Sequence, residues 1–345
     1  MLNLAHSGRI REAKTLISFP NEERIFLNIR TAESVSPKHP DKICDQIADS
    51  ILDAALEQDR QSRVAVEVAG GHKLLVLMGE ITSKARIDYA AIARRFVDDS
   101  YQIKINIVAQ SPEIAHGIND GGAGDQGIMV GYATNETENL MPLEVDLSRS
   151  LNRYLFDKFP CDGKTQITTD NGKIVTVVAS FQNTPKQLLN DMIYEWLKDK
   201  PLGPKLKLFS NPAGDWRIGG FDADTGLTGR KIAIDSYGPS IPIGGGAFSG
   251  KDPTKVDRSA AYMARKIAVD YLKNRKAKEI YCLLAYAIGI NKPIEAVVLI
   301  DGKEEKVKGY NLLPNGIIEF LQLSKPQYEQ TASYGHFGNS FNWDK

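Results

Sequence analysis

The chain has 345 residues, which is enough for a large buried core divided over about two or three compact units. Lysine plus arginine and aspartate plus glutamate both total 43, so the formal net charge is zero and does not favour binding to nucleic acid or to a membrane surface. Hydrophobic residues make up 42% and charged residues 25%, which is typical of a globular chain and excludes general disorder.

The N-terminal residues, the lengths of the apolar runs and the cysteines bear on where the protein is located. Residues 1–29, which we take as an N-terminal extension, mix basic residues with three glutamates and lack a long apolar run, which argues against a secretory signal and weakens the case for a transit peptide. No apolar run approaches the roughly 18 residues of a membrane span. Cys44, Cys161 and Cys282 are far apart and odd in number, so we predict reduced thiols in a cytoplasmic protein.

The first predicted unit reads helix, hairpin, helix. A helix is predicted from Pro40, with apolar residues at the i, i+4 spacing of one helical face: Ile43, Ile47, Ile51 and Ala55. Two apolar strands follow, with a turn predicted at Gly70-Gly71. The segment DYAAIARRFVDDSY then predicts a second helix.

The same order recurs twice. The second unit has a helix in PLEVDLSRSLNRYLFDKF, a hairpin that turns at Asn171-Gly172, and a helix in PKQLLNDMIYEWLKDK. The third has a helix in VDRSAAYMARKIAVDYLKNR, a hairpin in EIYCLLAYAIGINKPIEAVVLIDG, and a helix near GIIEFLQLS. We therefore predict three α+β domains of similar plan, although alternating helices and hairpins also arise by chance. The predicted domains are N-terminal 30–141, with parts contributed by other segments, central 142–230 and C-terminal 231–345.

Four polar, glycine-rich stretches are not required by these cores: residues 33–42, 109–136, 219–231 and 244–259. In the last of them, Gly245 and Gly250-Lys251 have the spacing of a P-loop, but Asp252 stands where a Ser or Thr is needed. Glycines with Lys or Arg beside Asp in several loops favour a polyphosphate with Mg²⁺ over a solvated turn. His39, just before the first helix, is either an anion-binding group or a simple cap.

Two longer motifs carry a resemblance to a known family. GAGDQGIMVGY (122–132) and GGGAFSGKD (244–252) resemble the signatures of S-adenosylmethionine synthetase, also called methionine adenosyltransferase. Five shorter family motifs are also present, in the order in which the family has them: HPDK, GYATNE, GLTGRK, KVDRSAAY and YGHFG. The resemblance therefore covers roughly residues 30 to 340. It implies an α+β fold of three similar domains about a pseudo-threefold axis, with 244–252 as a polyphosphate loop rather than a P-loop.

The resemblance also implies an activity. Members join ATP and L-methionine, displace triphosphate whole, and hydrolyse it to pyrophosphate and phosphate, with two Mg²⁺ per site and K⁺. The implied assembly is a homodimer or a dimer of dimers with shared active sites, in the cytoplasm and without nucleic-acid or membrane partners. A P-loop NTPase is the rival enzyme, and an inactive paralogue acting as a regulatory or structural subunit is the rival of another class.

Site residues carried over from the family divide by role. The catalytic residues implied are His39, Lys164, Arg230 and Lys251. The ATP site implied contains His39, Asp162, Lys164, Trp216, Asp224, Arg230, Lys231, Ala247 and Lys251. The methionine site implied contains Glu80, Gln110, Asp224, Lys255 and Ile288. The metal ligands implied are Asp41 and Asp257 for Mg²⁺ and Glu67 for K⁺.

The hairpin strands point independently to a second copy of the chain. The segments 74–78, 174–178 and 296–300 are apolar at nearly every position, so both faces of each sheet are predicted to need burial. One layer of helices covers only one face, and a two-fold partner is the commonest way to cover the other.

Overall fold

Three four-stranded sheets organise the computed structural model, which describes residues 29–109 and 123–345. In chain order the strands are β1 (Ile29–Val35), β2 (Arg63–Gly71), β3 (Leu74–Thr82), β4 (Gln102–Val108), β5 (Gly127–Thr134), β6 (Gly163–Asp170), β7 (Lys173–Phe181), β8 (Leu202–Ser210), β9 (Gly226–Leu227), β10 (Glu279–Tyr286), β11 (Glu295–Ile300) and β12 (Lys303–Lys306). The helices are α1 (Pro40–Gln58), α2 (Tyr89–Arg94), α3 (Leu143–Lys158), α4 (Lys186–Leu197), α5 (Ile232–Asp235), α6 (Val256–Arg275), α7 (Pro314–Phe320) and α8 (Thr331–Tyr334). Short 3₁₀ turns lie at Gly220–Asp222 and Asn342–Asp344.

Each sheet contains one of the three predicted hairpins. The first sheet has the order β4-β3-β2-β9, the central sheet β1-β6-β7-β8, and the third sheet β12-β11-β10-β5. The hairpins pair antiparallel, while β4 joins β3 and β8 joins β7 in parallel. In the third sheet the extra strands are antiparallel. Helices α1, α3 and α6 pack against the three sheets in turn, which confirms three α+β units of similar plan.

Each sheet contains a strand that is distant in sequence from its hairpin. Strand β1 lies in the central sheet, β5 in the third and β9 in the first, so strands from both sides of residues 141 and 230 share a sheet. The predicted domain boundaries stay predictions. One hydrophobic cluster spans the first and third sheets, and a second cluster fills the space between the central sheet, α3 and α4.

Helix α1 forms where the apolar spacing predicts it. Ile47, Ile51 and Ala55 are fully buried against the first sheet. Within residues 29–109 and 123–345, no helix is both long and apolar enough to cross a membrane.

Of the two predicted hairpin turns, one is confirmed and the other was wrong. Asn171 and Gly172 both have positive φ, 48° and 74°, and connect β6 to β7 as predicted. The turn predicted at Gly70-Gly71 was wrong, because His72 and Lys73 form it. Gly70 pairs within the sheet, where an added Cβ would lie 2.7 Å from the Phe221 ring, so glycine there admits the loop that carries Phe221.

The prediction of a loop over residues 109–136 was also wrong in part. Gly127–Thr134 forms β5, whose Met129, Tyr132 and Ala133 are almost fully buried. Gly131 permits this, because an added Cβ would lie 2.0 Å from the Ala264 carbonyl carbon of α6. The glycines in this motif therefore serve close helix-to-strand packing as well as loop formation.

Candidate active site

His39 caps the N-terminus of α1. Pro40 occupies the first helical turn, where its missing N–H costs no helical hydrogen bond, and His39 has extended backbone angles. Its Nδ1 accepts the backbone N–H of Asp41 at 3.2 Å, so the proton of the neutral ring lies on Nε2, which is left as a donor. Burial and the nearby Lys231 ammonium lower the pKa of His39 to about 4, and the ring is therefore neutral at physiological pH.

Asp41 lies in the first turn of α1 and is 1% exposed. One carboxylate oxygen accepts the Leu227 N–H at 2.9 Å and the other accepts the Lys231 ammonium at 2.5 Å. The Arg230 guanidinium lies 3.6 Å from the first oxygen. Burial alone would raise the pKa of Asp41, but the hydrogen bonds from Lys231 and Leu227 outweigh it, so the net pKa is lowered. Asp41 is an ionised carboxylate between two cations.

Glycines bring the loop over residues 219–231 onto α1. An added Cβ on Gly226 would lie 2.3 Å from the Pro40 carbonyl carbon, which allows no side chain at this contact. At the other end of the loop, the Gly220 N–H donates to the Asp162 carboxylate at 2.9 Å. The loop is therefore tied both to α1 and to the residue before β6.

Charges from the central sheet complete this region. Lys164 on β6 forms an ion pair with Glu33 at 3.0 Å, and both side chains are nearly half exposed. Lys164 lowers the pKa of His39 and Asp224 raises it, so both charges act on the ring. We call these residues the histidine group: His39, Asp41, Asp162, Lys164, Asp224, Arg230 and Lys231.

Trp216 lies at the edge of the histidine group. Its C=O accepts the Asn183 N–H at 2.9 Å, and an added Cβ on Gly219 would lie 2.9 Å from its indole ring. The half-buried indole therefore stands where the loop over residues 219–231 begins.

A second set of site residues surrounds the glycine-rich loop over residues 244–251. The Lys251 ammonium donates to Asp257 at 2.6 Å, and the backbone of Lys251 bridges to Ala65 on β2. A cavity of about 380 Å³ beside this loop is lined by Lys251 together with Glu67 and Glu80. Asp257 joins these residues through its bond to Lys251 and does not itself line the cavity. We call Glu67, Glu80, Lys251 and Asp257 the lysine group.

Asp252 explains why this loop is not a P-loop. Its fully buried carboxylate accepts the Val64 N–H at 2.6 Å and the Thr254 N–H at 2.9 Å. It also accepts the Lys255 ammonium. Helix α6 begins only at Val256, so Lys251 does not open a helix as a P-loop lysine does. Asp252 fastens the loop to β2.

Ala247 joins the two groups. An added Cβ on Gly229 would lie 2.6 Å from the Ala247 Cβ, so the loops over 219–231 and 244–251 touch each other. Both loops are also tied to α1, because the Gly229 N–H donates to Asp45 and the Gly250 N–H donates to Asp49, each at 2.8 Å.

Asp45 and Asp49 were not among the residues predicted from the sequence. The signal was an acid at every fourth position of α1, each directly after a buried apolar residue: Asp41, Asp45, Asp49 and Asp53. Acids in a regular row on a packed helix indicate partners on one face of that helix. The helix prediction used only the apolar positions that lie between these aspartates.

Mg²⁺ fits the donors that are present, without a preformed cage. Among residues 29–109 and 123–345 no group of three or more His, Cys, Asp or Glu side chains is placed to hold a metal. Mg²⁺ at nucleotide sites takes one or two carboxylates and completes its shell with phosphate oxygens and water. Asp41 and Asp257 are single carboxylates beside lysines that suit phosphate, and Glu67 offers a further oxygen ligand in the cavity.

Three implied residues are not placed in these groups by the described contacts. The Lys255 ammonium pairs with Asp252, which belongs to neither group. Gln110 lies outside the described residues. Ile288 is 63% exposed, and its loop bonds to Ala123 through Gly289, whereas the Trp216 segment bonds to Asn183. The place of Ile288 in the methionine site stays a prediction.

Comparisons with known proteins agree over most of the chain. Models described as the N-terminal, central and C-terminal domains of S-adenosylmethionine synthetase match residues 28–120, 120–216 and 218–345. The S-adenosylmethionine synthase of Helicobacter hepaticus is 40% identical in an alignment 365 residues long, gaps included, that spans 91% of this chain and 95% of that protein. That of Mycoplasma capricolum subsp. capricolum is 40% identical over 373 residues, covering 94% and 95%. The chain belongs to the S-adenosylmethionine synthetase family.

Proposed function

We propose that this chain forms S-adenosylmethionine from ATP and L-methionine, and that it hydrolyses the displaced triphosphate to pyrophosphate and phosphate. The observation that carries the proposal is the neutral His39, held as an Nε2–H donor at a helix N-terminus beside the ionised Asp41 and two cations. The two relatives named as S-adenosylmethionine synthases support the same reaction.

The reaction needs a stabilised leaving group more than a base. The lone pair of the methionine sulfur forms the bond to C5′ of the ribose, while the C5′–O5′ bond breaks and its electrons leave with triphosphate. A neutral thioether has no proton to lose before it attacks. Charge grows on O5′ and the triphosphate, where a pre-oriented Nε2–H of His39 would donate.

Four basic residues are proposed for the triphosphate: Lys164, Arg230, Lys231 and Lys251. In the described structure all four are already paired with carboxylates: Lys164 with Glu33, Arg230 and Lys231 with Asp41, and Lys251 with Asp257. A polyphosphate would compete for these cations, and the carboxylates of Asp41 and Asp257 would then be available to two Mg²⁺. The metal would neutralise phosphate charge during both displacement and hydrolysis. Glu67 is proposed to hold K⁺.

The remaining residues are proposed to hold the two substrates. Asp162 and Asp224 would bond to polar groups of the nucleoside, Ala247 would line its pocket, and Trp216 would stack on adenine. For methionine, a zwitterion, we propose acidic and basic partners together with an apolar contact: Glu80, Gln110, Asp224, Lys255 and Ile288.

We also propose a homodimer or a dimer of dimers with shared sites. Leu74, Met78, Ile105 and Val108 on the first sheet are each between 36% and 54% exposed, and Met78 and Val108 line the cavity of the lysine group. A second copy that covers this apolar face would therefore also close the cavity. Restored activity after co-assembly of His39→Ala and Glu80→Ala chains would support shared sites, whereas an active monomer at assay concentration would contradict them.

One assay tests the activity. Purified chain is incubated with ATP, L-methionine, Mg²⁺ and K⁺, and mass spectrometry looks for the sulfonium product together with phosphate and pyrophosphate. Binding of ATP without sulfonium would favour an inactive paralogue, and hydrolysis of ATP without methionine would favour an NTPase.

We propose a cytoplasmic location. The three free cysteines are consistent with a reducing compartment.

A further inference from the structure

A buried ion pair connects α1 to α6 beneath the glycine-rich loop. The Arg258 guanidinium donates to both oxygens of Asp49, at 2.6 and 2.8 Å, and both side chains are fully buried. Such a two-point pair fixes the relative orientation of its partners as well as their separation. It therefore fixes α6 against α1 near the first turn of α6.

The same pair holds two successive residues of the loop. Asp49 accepts the Gly250 N–H at 2.8 Å, and Arg258 donates to the Lys251 C=O at 3.1 Å. On the opposite side, the Gly250 C=O accepts the Val66 N–H at 3.0 Å. Gly250 has a φ of 82°, and an added Cβ would lie 2.0 Å from the Val66 carbonyl oxygen, so the backbone is confined between strand and ion pair.

Two tyrosines orient Arg258. Its Nε donates to the Tyr262 hydroxyl at 2.9 Å, and that hydroxyl lies 2.7 Å from His336 Nδ1. Since the Tyr262 oxygen accepts from Arg258, its proton is free for Nδ1. Tyr328 places its ring 4.2 Å from the guanidinium carbon. His336 belongs to the YGHFG motif, for which the proposed reaction supplies no other role.

We propose that Asp49 and Arg258 are positioning residues that fix the Lys251 and Asp257 pair for the triphosphate, an inference that rests on the proposed function of that pair. Lys251 directly follows Gly250, and Asp257 directly precedes Arg258, so the ion pair holds both segments next to the groups that would meet phosphate and metal. Stability alone does not call for this arrangement, because a buried ion pair is often matched by an apolar pair of similar volume.

Asp53 provides a matched control one turn further along α1. It is also a carboxylate that accepts backbone N–H groups, those of Gln327, Tyr328 and Glu329, but these lie in the C-terminal segment and not in the glycine-rich loop. Asp49→Asn and Asp53→Asn therefore make the same chemical change on the same helix. Only the first should affect Lys251.

The experiment combines two readouts on the intact protein. Hydrogen exchange followed by mass spectrometry should show faster exchange over residues 244–252 in Asp49→Asn and not in Asp53→Asn. Affinity for inorganic triphosphate with Mg²⁺ should fall in Asp49→Asn by about 10- to 10²-fold, the scale of one lost hydrogen bond to a charged group. Asp53→Asn should bind triphosphate as wild type does, even where both variants melt at lower temperature.

A milder variant keeps the test decisive if Asp49→Asn does not fold. Tyr262→Phe removes only the hydroxyl that orients Arg258, and it should give the same two changes at smaller size. Unchanged loop exchange and unchanged triphosphate affinity in the folded variant would overturn the positioning role. If wild type forms no sulfonium and binds no triphosphate, the proposed function fails instead, while the exchange pattern still reports whether Asp49 holds the loop.

Discussion

Replacing Gly246 by alanine is expected to disable the lysine group without unfolding the chain. An added Cβ on Gly246 would lie 2.1 Å from the Asp257 carboxyl carbon and 2.3 and 2.4 Å from its two oxygens. Neither Gly246 nor its neighbour Gly245 has a positive φ, so alanine is compatible with both backbones. The methyl group would therefore act on Asp257 through contact and not through backbone strain.

The size of the effect follows from these distances. Real Cβ atoms essentially never come closer than 3.0 Å to a neighbour, so the Asp257 carboxylate must move by about 1 Å. The 2.6 Å hydrogen bond from Lys251 would then break or drag the ammonium with it. A 1 Å error in a group that contacts the reacting atoms costs about 10²-fold in rate, so sulfonium formation should fall by that factor.

Gly245→Ala is the control, because nothing lies within 4 Å of its added Cβ. Both variants would be assayed for sulfonium formation at saturating ATP and methionine while Mg²⁺ is varied, with melting temperature measured alongside. Gly246→Ala should be slower and should need more Mg²⁺, and Gly245→Ala should match wild type. Equal activity in the two folded variants would refute the placement of Asp257 at the metal.

Three further outcomes are expected. His39→Ala should slow sulfonium formation by about 10²–10³-fold and hydrolysis of added triphosphate far less, since only the first reaction develops charge on O5′; an equal loss of both would contradict that role. EDTA should abolish activity, and K⁺ should raise it above a tetraalkylammonium salt; indifference to the cation would remove Glu67 as its ligand. In the metal-free protein, ¹H–¹⁵N spectra should show the Nε2–H tautomer of His39 and an inflection near pH 4, because burial and Lys231 lower its pKa from 6.5. The unfolded chain binds this proton more tightly, so the contribution of His39 to stability is complete above pH 6.5 and is lost as pH falls toward 4; an inflection near 6.5 would contradict the burial argument.

Local patterns in the sequence were sufficient for the main helices and for the three hairpins. The i, i+4 apolar spacing placed α1, Pro40 marked its first turn, and Asn171-Gly172 marked the second hairpin turn, because each of these features acts within a few residues. The family motifs supplied His39 and Lys251 as candidates.

Long-range contacts decided the rest. Gly70 was read as a turn residue although it makes room for Phe221, and Gly131 was read as a loop residue although it admits α6, because a glycine's local signal is the same in both settings. The row of aspartates on α1 was visible in the sequence, but its partners were not. Asp49 meets Gly250 and Arg258 more than 200 positions later, and only the folded chain brings these charges into one buried, hydrogen-bonded group.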